Sequence, residues 1–210
     1  MKLVAFNGSP RKEGNTHKAL ESLAAELTKE GIEVSIIQVG DRPIRGCLAC
    51  GGCAKNKNER CVINDEVNDW IQIMKAADGI VIASPVHFAS IGATMKCFLD
   101  RAFYVSSSNG NLFRHKVGAA LVAVRRSGGV AAYNQLNNYL LYAELLIPGS
   151  NYWNVIHGAV PGEVTQDEEG MQTLRILAKN LAWLLKLKDQ SQGHVPEPEK
   201  EPKVRTNFIR

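Results

Sequence analysis

The chain of 210 residues has no apolar run that approaches a membrane span. Its opening Met1-Lys2-Leu3-Val4-Ala5-Phe6 is cut off at Gly8, too early for the apolar core of a signal peptide. Together these absences set the cytoplasm as the expected compartment. No basic run interleaves with aromatics, and a net charge of +4, evenly spread, is too weak a field to argue for nucleic acid. No internal repeat divides the chain. No Gly-Lys-[Ser/Thr] closes the glycine-containing loop near the N-terminus, which argues against an NTPase. No G-x-G-x-x-G follows a strand, which argues against a conventional nicotinamide-binding domain. Cysteine is scarce outside one segment, where Cys97 stands alone.

What the chain does have is enough apolar sequence for one full core, with 45% hydrophobic and 22% charged residues. Short apolar runs alternate with amphipathic stretches. Lys2 to Asn7 reads as a buried strand. Thr16 to Glu30 reads as a helix with Leu20, Leu23, Ala24 and Leu27 on one face, ended by Gly31. Glu33 to Val39 is a second strand, and a long polar loop to Asn64 follows. Asp65 is a candidate N-cap for a helix to Ala76. Gly79 to Ser84, with Ile80-Val81-Ile82-Ala83, has the continuous apolarity of a central parallel strand. A helix over Ile91 to Tyr104, a strand over Val117 to Val124, a helix over Gly129 to Ala143, a strand within Asn151 to His157 and a helix over Glu168 to Lys188 complete the series.

This order predicts an α/β fold, a three-layer sandwich around a parallel five-stranded sheet. The expected domain spans residues 1–188. Residues 189–210 read as an extended proline-rich tail whose apolar Phe208-Ile209 hints at docking. Open parallel sheets bind ligands beyond the carboxyl ends of their strands, so the loops after the first, third and fourth strands are the places to search.

After the first strand comes Gly8-Ser9-Pro10-Arg11-Lys12-Glu13-Gly14-Asn15-Thr16, running into a helix. A phosphate there meets free backbone N–H groups and the positive end of the helix dipole. Ser9, Asn15 and Thr16 add donors, and Arg11 adds a cation. This loop resembles the phosphate loop of the NADPH-dependent FMN reductase branch of the flavodoxin-like superfamily. Ser84-Pro85-Val86-His87-Phe88, then Ile91-Gly92-Ala93-Thr94-Met95-Lys96 and Phe98-Leu99-Asp100-Arg101, resemble that family's flavin-ring loop and the helix behind it.

The resemblance implies an FMN-dependent oxidoreductase, with NAD(P)H as one possible donor and a small-molecule acceptor. It implies a phosphate held by Ser9, Arg11, Asn15 and Thr16, and a ring against Pro85, Val86, His87 and Phe88. Arg126, Ser127, Gly128 and Gly129, after the fourth strand, are expected to border the ring as well. There Arg126 would place positive charge beside the edge that gains negative charge on reduction. Alternatively Arg125 or Arg126 contacts a nicotinamide cofactor's phosphate. His87 is a candidate for proton transfer, although a wall residue beside the ring satisfies the same position.

Four cysteines fall at C-x₂-C-x₂-C-x₇-C: Cys47, Cys50, Cys53 and Cys61, inside the loop of residues 46–64. Thiolates are the preferred ligands of iron–sulfur clusters and of structural zinc. Gly46, Gly51 and Gly52 relieve crowding, and Lys55, Lys57 and Arg60 supply positive charge. The seven-residue last interval is unlike the three-residue ferredoxin spacing, so a dithiol and a Cys₄ zinc site stand as alternatives. In this fold the loop resembles that of the iron–sulfur flavoproteins, which carry a 4Fe–4S cluster beside FMN. That resemblance places the quartet near the flavin rim and implies a ferredoxin-like electron donor and a homodimer or homotetramer. Cys97 reads as a packed core thiol.

Overall fold

The computed structural model describes residues 1–204, Thr206 and Phe208. Ile209, part of the expected docking end, lies outside the described residues, and Phe208 is exposed. The first βαβ unit is β1 (Lys2–Asn7), α1 (Asn15–Lys29) and β2 (Glu33–Gln38). Then come α2 (Gly52–Asn56), α3 (Val67–Ala76), β3 (Gly79–His87), β4 (Ser90–Ile91) and α4 (Ala93–Ser108). The remaining elements are β5 (Val117–Val124), α5 (Gly129–Tyr142), β6 (Val155–His157), a 3₁₀ turn (Glu163–Gln166) and α6 (Glu168–Ser191).

Five strands pair in the order β2-β1-β3-β5-β6, every pair parallel. Alternation along β1 shows how the sequence builds two cores. Val4 and Phe6 pack with α3, α4 and α5 on one face, while Leu3 and Ala5 pack with α1 and α6 on the other. β5 is buried at all eight positions, as a central parallel strand must be. On α1, Ala19, Leu20, Leu23 and Leu27 form the buried stripe.

Several elements differ from the sequence expectation, among them α4, which runs over Ala93–Ser108 rather than Ile91 to Tyr104. β3 runs on through Pro85, Val86 and His87, then turns back as β4, which pairs with it antiparallel. Phe88 and Ala89 make that turn with φ of 50° and 58°, a left-handed corner without a glycine to signal it. The long loop contains the short α2. α3 starts at Val67 rather than Asp65; the Asp65 carboxylate accepts from the Val67 N–H at 3.2 Å and is held at the same time by Arg101.

The tail folds back across the end of the sheet opposite the carboxyl rim. Glu197 meets His115 Nδ1 at 3.0 Å and Lys188 at 3.7 Å, Lys200 donates to the Gly110 carbonyl, and Lys203 donates to Tyr142 at 3.0 Å.

Candidate functional site: a carboxyl-edge cleft and a cysteine cavity

The β1–α1 loop is held as a cradle by hydrogen bonds that start in the strands. The Gly8 N–H donates to the Ala83 carbonyl at 2.8 Å. The Ser9 N–H donates to Asn7 Oδ1 at 3.1 Å, and the Arg11 N–H to Ser9 Oγ at 3.1 Å. From β2, Gln38 accepts from Asn7 Nδ2 and donates to the Ser9 carbonyl, both at 2.6 Å. Two glycines let these segments close up. A Cβ on Gly8 would lie 2.8 Å from that of Met95, and one on Gly40 would lie 2.2 Å from the Ser9 carbonyl carbon. Ser9 and Thr16 are buried, and no acidic side chain sits in the first turn of α1.

One cleft opens above this cradle. It is lined by Ser9, Arg11, Asn15 and Thr16 from the first loop, and by Pro85, Val86 and His87 from the end of β3. Ala123, Arg125, Gly158 and Ala159 complete it from the ends of β5 and β6. The sequence reading did not place Ala123, Gly158 or Ala159 there. Gly158 closes the wall tightly, since a Cβ on it would meet Asn15 Nδ2 at 2.8 Å. The donors, the helix N-terminus and two arginines without ion-pair partners among the described residues, Arg11 and Arg125, fit a phosphate.

Phe88 is fully exposed and lines a shallower hollow beside the cleft with Arg125, Arg126 and Ser127. Gly128, with φ of 89°, brings its backbone against Val86 and Ala89, which locks the two rim loops together. Arg126, Gly128 and Gly129 also line a third, more apolar hollow with Tyr152, Trp153 and Val155. Arg125 therefore lines both the main cleft and the hollow beside it, whereas Arg126 lines only the two flanking hollows. His87 is exposed at the lip of the cleft.

The four clustered cysteines line one small cavity together with Leu48, Arg101, Tyr104 and Val105. Its position corrects the expected one. The cavity lies along the second half of α4, about 12 Å of helix below the rim where that helix starts. Cys47 and Cys50 are exposed, Cys53 is buried and Cys61 is half-buried. Burial pushes the Cys53 thiol above its ordinary range. Gly52 packs against Val62: a Cβ there would lie 2.3 Å from Val62 Cγ1 and would make that exposed side chain shift. The donor set and its convergence on one cavity fit an iron–sulfur group. No set of three or more His, Cys, Asp or Glu among the described residues is drawn together tightly enough for a single metal ion.

The cations read from the sequence sit elsewhere. Lys57 donates to the Ser108 carbonyl, and Arg60 faces Asp69 at 3.9 Å. The cation that touches a cysteine is Arg101, whose Nε donates to Cys61 Sγ at 3.4 Å. Cys97 is half-buried next to Gly46 and takes no part in the cavity.

Comparison with known proteins agrees with this geometry. The family model for NADPH-dependent FMN reductases matches residues 1–159. An iron-sulfur flavoprotein of Methanocaldococcus jannaschii is 33% identical over 194 residues, covering 89% of this chain and 98% of the relative. One from Methanosarcina thermophila is 33% identical over 190 residues, covering 89% and 96%. Among solved structures, RosB with a bound 8-demethyl-8-formylriboflavin-5'-phosphate intermediate superposes with a TM-score of 0.72 at 18% identity, over 100% of this chain and 92% of that one. With the cleft, the sheet order and these matches together, the chain belongs to the NADPH-dependent FMN reductase family, as an FMN-dependent oxidoreductase grouped with the iron–sulfur flavoproteins.

Proposed function

We propose that this protein passes electrons between a reduced donor, a ferredoxin-like protein or NAD(P)H, and an acceptor, through FMN in the carboxyl-edge cleft and a 4Fe–4S cluster on Cys47, Cys50, Cys53 and Cys61. The observation that carries the reading is the convergence of all four thiols on one cavity in a chain that also has the flavin cradle. When bound, FMN exchanges electrons in pairs or singly, and an iron–sulfur cluster exchanges them singly.

The chain's own residues would do the following. Ser9, Thr16 and the N-terminal amides of α1 hold the phosphate, and Arg11 and Arg125 neutralise it. Pro85, Val86 and the turn at Phe88 and Ala89, braced by Gly128, form one rigid wall of the ring site. Arg126 puts positive charge at the edge of the neighbouring hollow. His87 stands where it can shield or orient the ring. The acceptor is a small molecule, and the working compartment is the cytoplasm. No described helix is long and apolar enough to cross a membrane.

A second reading is a cluster-free NAD(P)H-dependent flavin, quinone or nitro-compound reductase. The exposure of Cys47 and Cys50 favours it, because exposed thiols also suit a dithiol. Anaerobic purification separates the two. The first reading expects flavin bands over a broad shoulder that bleaches with dithionite, about four irons per chain, and loss of shoulder and iron but not of flavin in Cys50→Ser. About two irons or fewer per chain after anaerobic reconstitution would leave the cluster-free reductase.

A further inference from the structure

Arg101 is one of the largest fully buried side chains in the protein, with its guanidinium closed off from solvent. A buried cation is costly unless each of its donors is met. Here all five N–H groups have partners. Nη1 donates to Asp65 Oδ2 at 2.6 Å and to the Arg45 carbonyl at 3.3 Å. Nη2 donates to Asp65 Oδ1 at 2.7 Å and to the Ile63 carbonyl at 3.1 Å. The fifth donor, Nε, points at Cys61 Sγ at 3.4 Å.

Two consequences follow from that geometry. The first is mechanical. Arg45 lies just before the first cysteine, and Ile63 and Asp65 lie just after the last. One rigid fork on α4 therefore fastens both ends of the cysteine segment to the same point of the helix. A lysine offers three donors on a single nitrogen and cannot span these positions. Cys61, separated from Cys53 by the longest of the three intervals, is the cysteine the sequence constrains least. It is also the one this fork holds directly.

The second consequence is electronic. Asp65 already balances the charge of Arg101, so the donor aimed at sulfur is a directed one, and a neutral thiol is a weak acceptor for it. A thiolate is a better match. Hydrogen bonds to the sulfurs of an iron–sulfur group are among the factors that set its reduction potential, because they withdraw charge that reduction would add.

We propose that Arg101 is a positioning residue of the cysteine site, fixing the Cys61 sulfur while Asn68 grips that residue's backbone, and raising the reduction potential of the group bound there. The redox half of this inference rests on the reading that these thiols hold a cluster; the holding half does not.

The experiment uses full-length wild type, Arg101→Gln, Arg101→Lys and Asp65→Asn, each with FMN retention as the check on folding. Before iron is added, amide exchange is followed by mass spectrometry. Both Arg101 variants are expected to exchange residues 45–65 roughly tenfold faster, with the FMN cradle unchanged, as the loss of hydrogen bonds to a charged group implies. Wild-type exchange in that segment overturns the holding role. After anaerobic reconstitution, a redox titration followed by electron paramagnetic resonance should place the cluster in Arg101→Lys and Arg101→Gln at a more negative midpoint than wild type. The FMN midpoint should stay fixed, and Asp65→Asn, which leaves the Arg101 charge unbalanced, should move the cluster to a less negative midpoint than wild type. An unshifted cluster midpoint in the loaded variants overturns the redox role. If wild type itself takes up no iron, the cluster reading falls and the redox role falls with it, while the exchange data still decide the holding role.

Discussion

At the scale of single residues, half-buried polar groups tie α4 to α5. Asp100 on α4 accepts from Lys96 with both oxygens at 2.7 Å and from the Tyr139 hydroxyl of α5. Burial, reinforced by the hydrogen bond to the Asp100 carboxylate, pushes the Tyr139 phenol up from 10.0 to about 12. The sign of its effect on stability follows. Between those two values the unfolded chain releases this proton and the folded chain keeps it, so folding becomes less favourable as pH rises. The contribution is complete below about pH 10 and is lost as the pH climbs through about 12. An ultraviolet titration should therefore show one phenol ionising near pH 12, and Tyr139→Phe should lack that phase. The melting temperature of wild type should fall more steeply across this window than that of Tyr139→Phe. Equal slopes would mean that the pair contributes nothing to the alkaline limb.

At the scale of elements, the flavin cradle depends on β2 ending against the β1–α1 loop. The Val39 and Gly40 N–H groups both donate to the Asn7 carbonyl, at 2.9 and 3.1 Å, and Gly40 has no room for a side chain beside Ser9. Gly40→Ala must push the phosphate loop outward. The expected cost is about 1–3 kcal/mol of stability, together with weaker FMN retention, since Ser9 is the group displaced. Chemical denaturation and a flavin-release titration check both; a destabilised variant that keeps FMN at wild-type affinity would break the link to Ser9. This loop was readable in the sequence because its parts are contiguous, with strand, glycines, donors and helix start all within residues 2–16. Other parts of the site were not. Gly158 and Ala159 reach the cleft through the pairing of β6 with β5, a contact that no local pattern encodes. Pro85 looks like a strand terminator, so the extension of β3 and its hairpin with β4 stayed hidden. Arg101 could be seen as part of a helix, but its partners at Arg45, Cys61, Ile63 and Asp65 lie 36 to 56 residues away. The five-strand alternation was legible because each strand's apolarity and each helix's period are local properties.

At the scale of the whole molecule, a single chain leaves large apolar side chains in water. Trp183 and Leu187 lie one turn apart on α6 and are 65% and 42% exposed, and Trp153 is 50% exposed beside Tyr152. Leu141 and Val130 on α5 are exposed as well. α5 and α6 cover opposite faces of the sheet, so these are two separate exposed apolar sets, and a stable interface on either needs to cover about 800 Å² per partner. The expected assembly is a homodimer or homotetramer. The three tryptophans provide an internal readout, because Trp70 is buried within the chain, at 7% exposure, while Trp153 and Trp183 are not. Light scattering should give a multiple of the 23.0 kDa chain mass, and tryptophan emission should be bluer than two wet indoles allow. Dilution to dissociation should then shift the emission to the red. Replacing Trp183 by Asp should lower the mass if α6 lies in the interface, and replacing Trp153 should do so if the β6 side does. A monomeric mass with red-shifted emission at every concentration would require each chain to carry its redox centres alone, with both tryptophans in solvent.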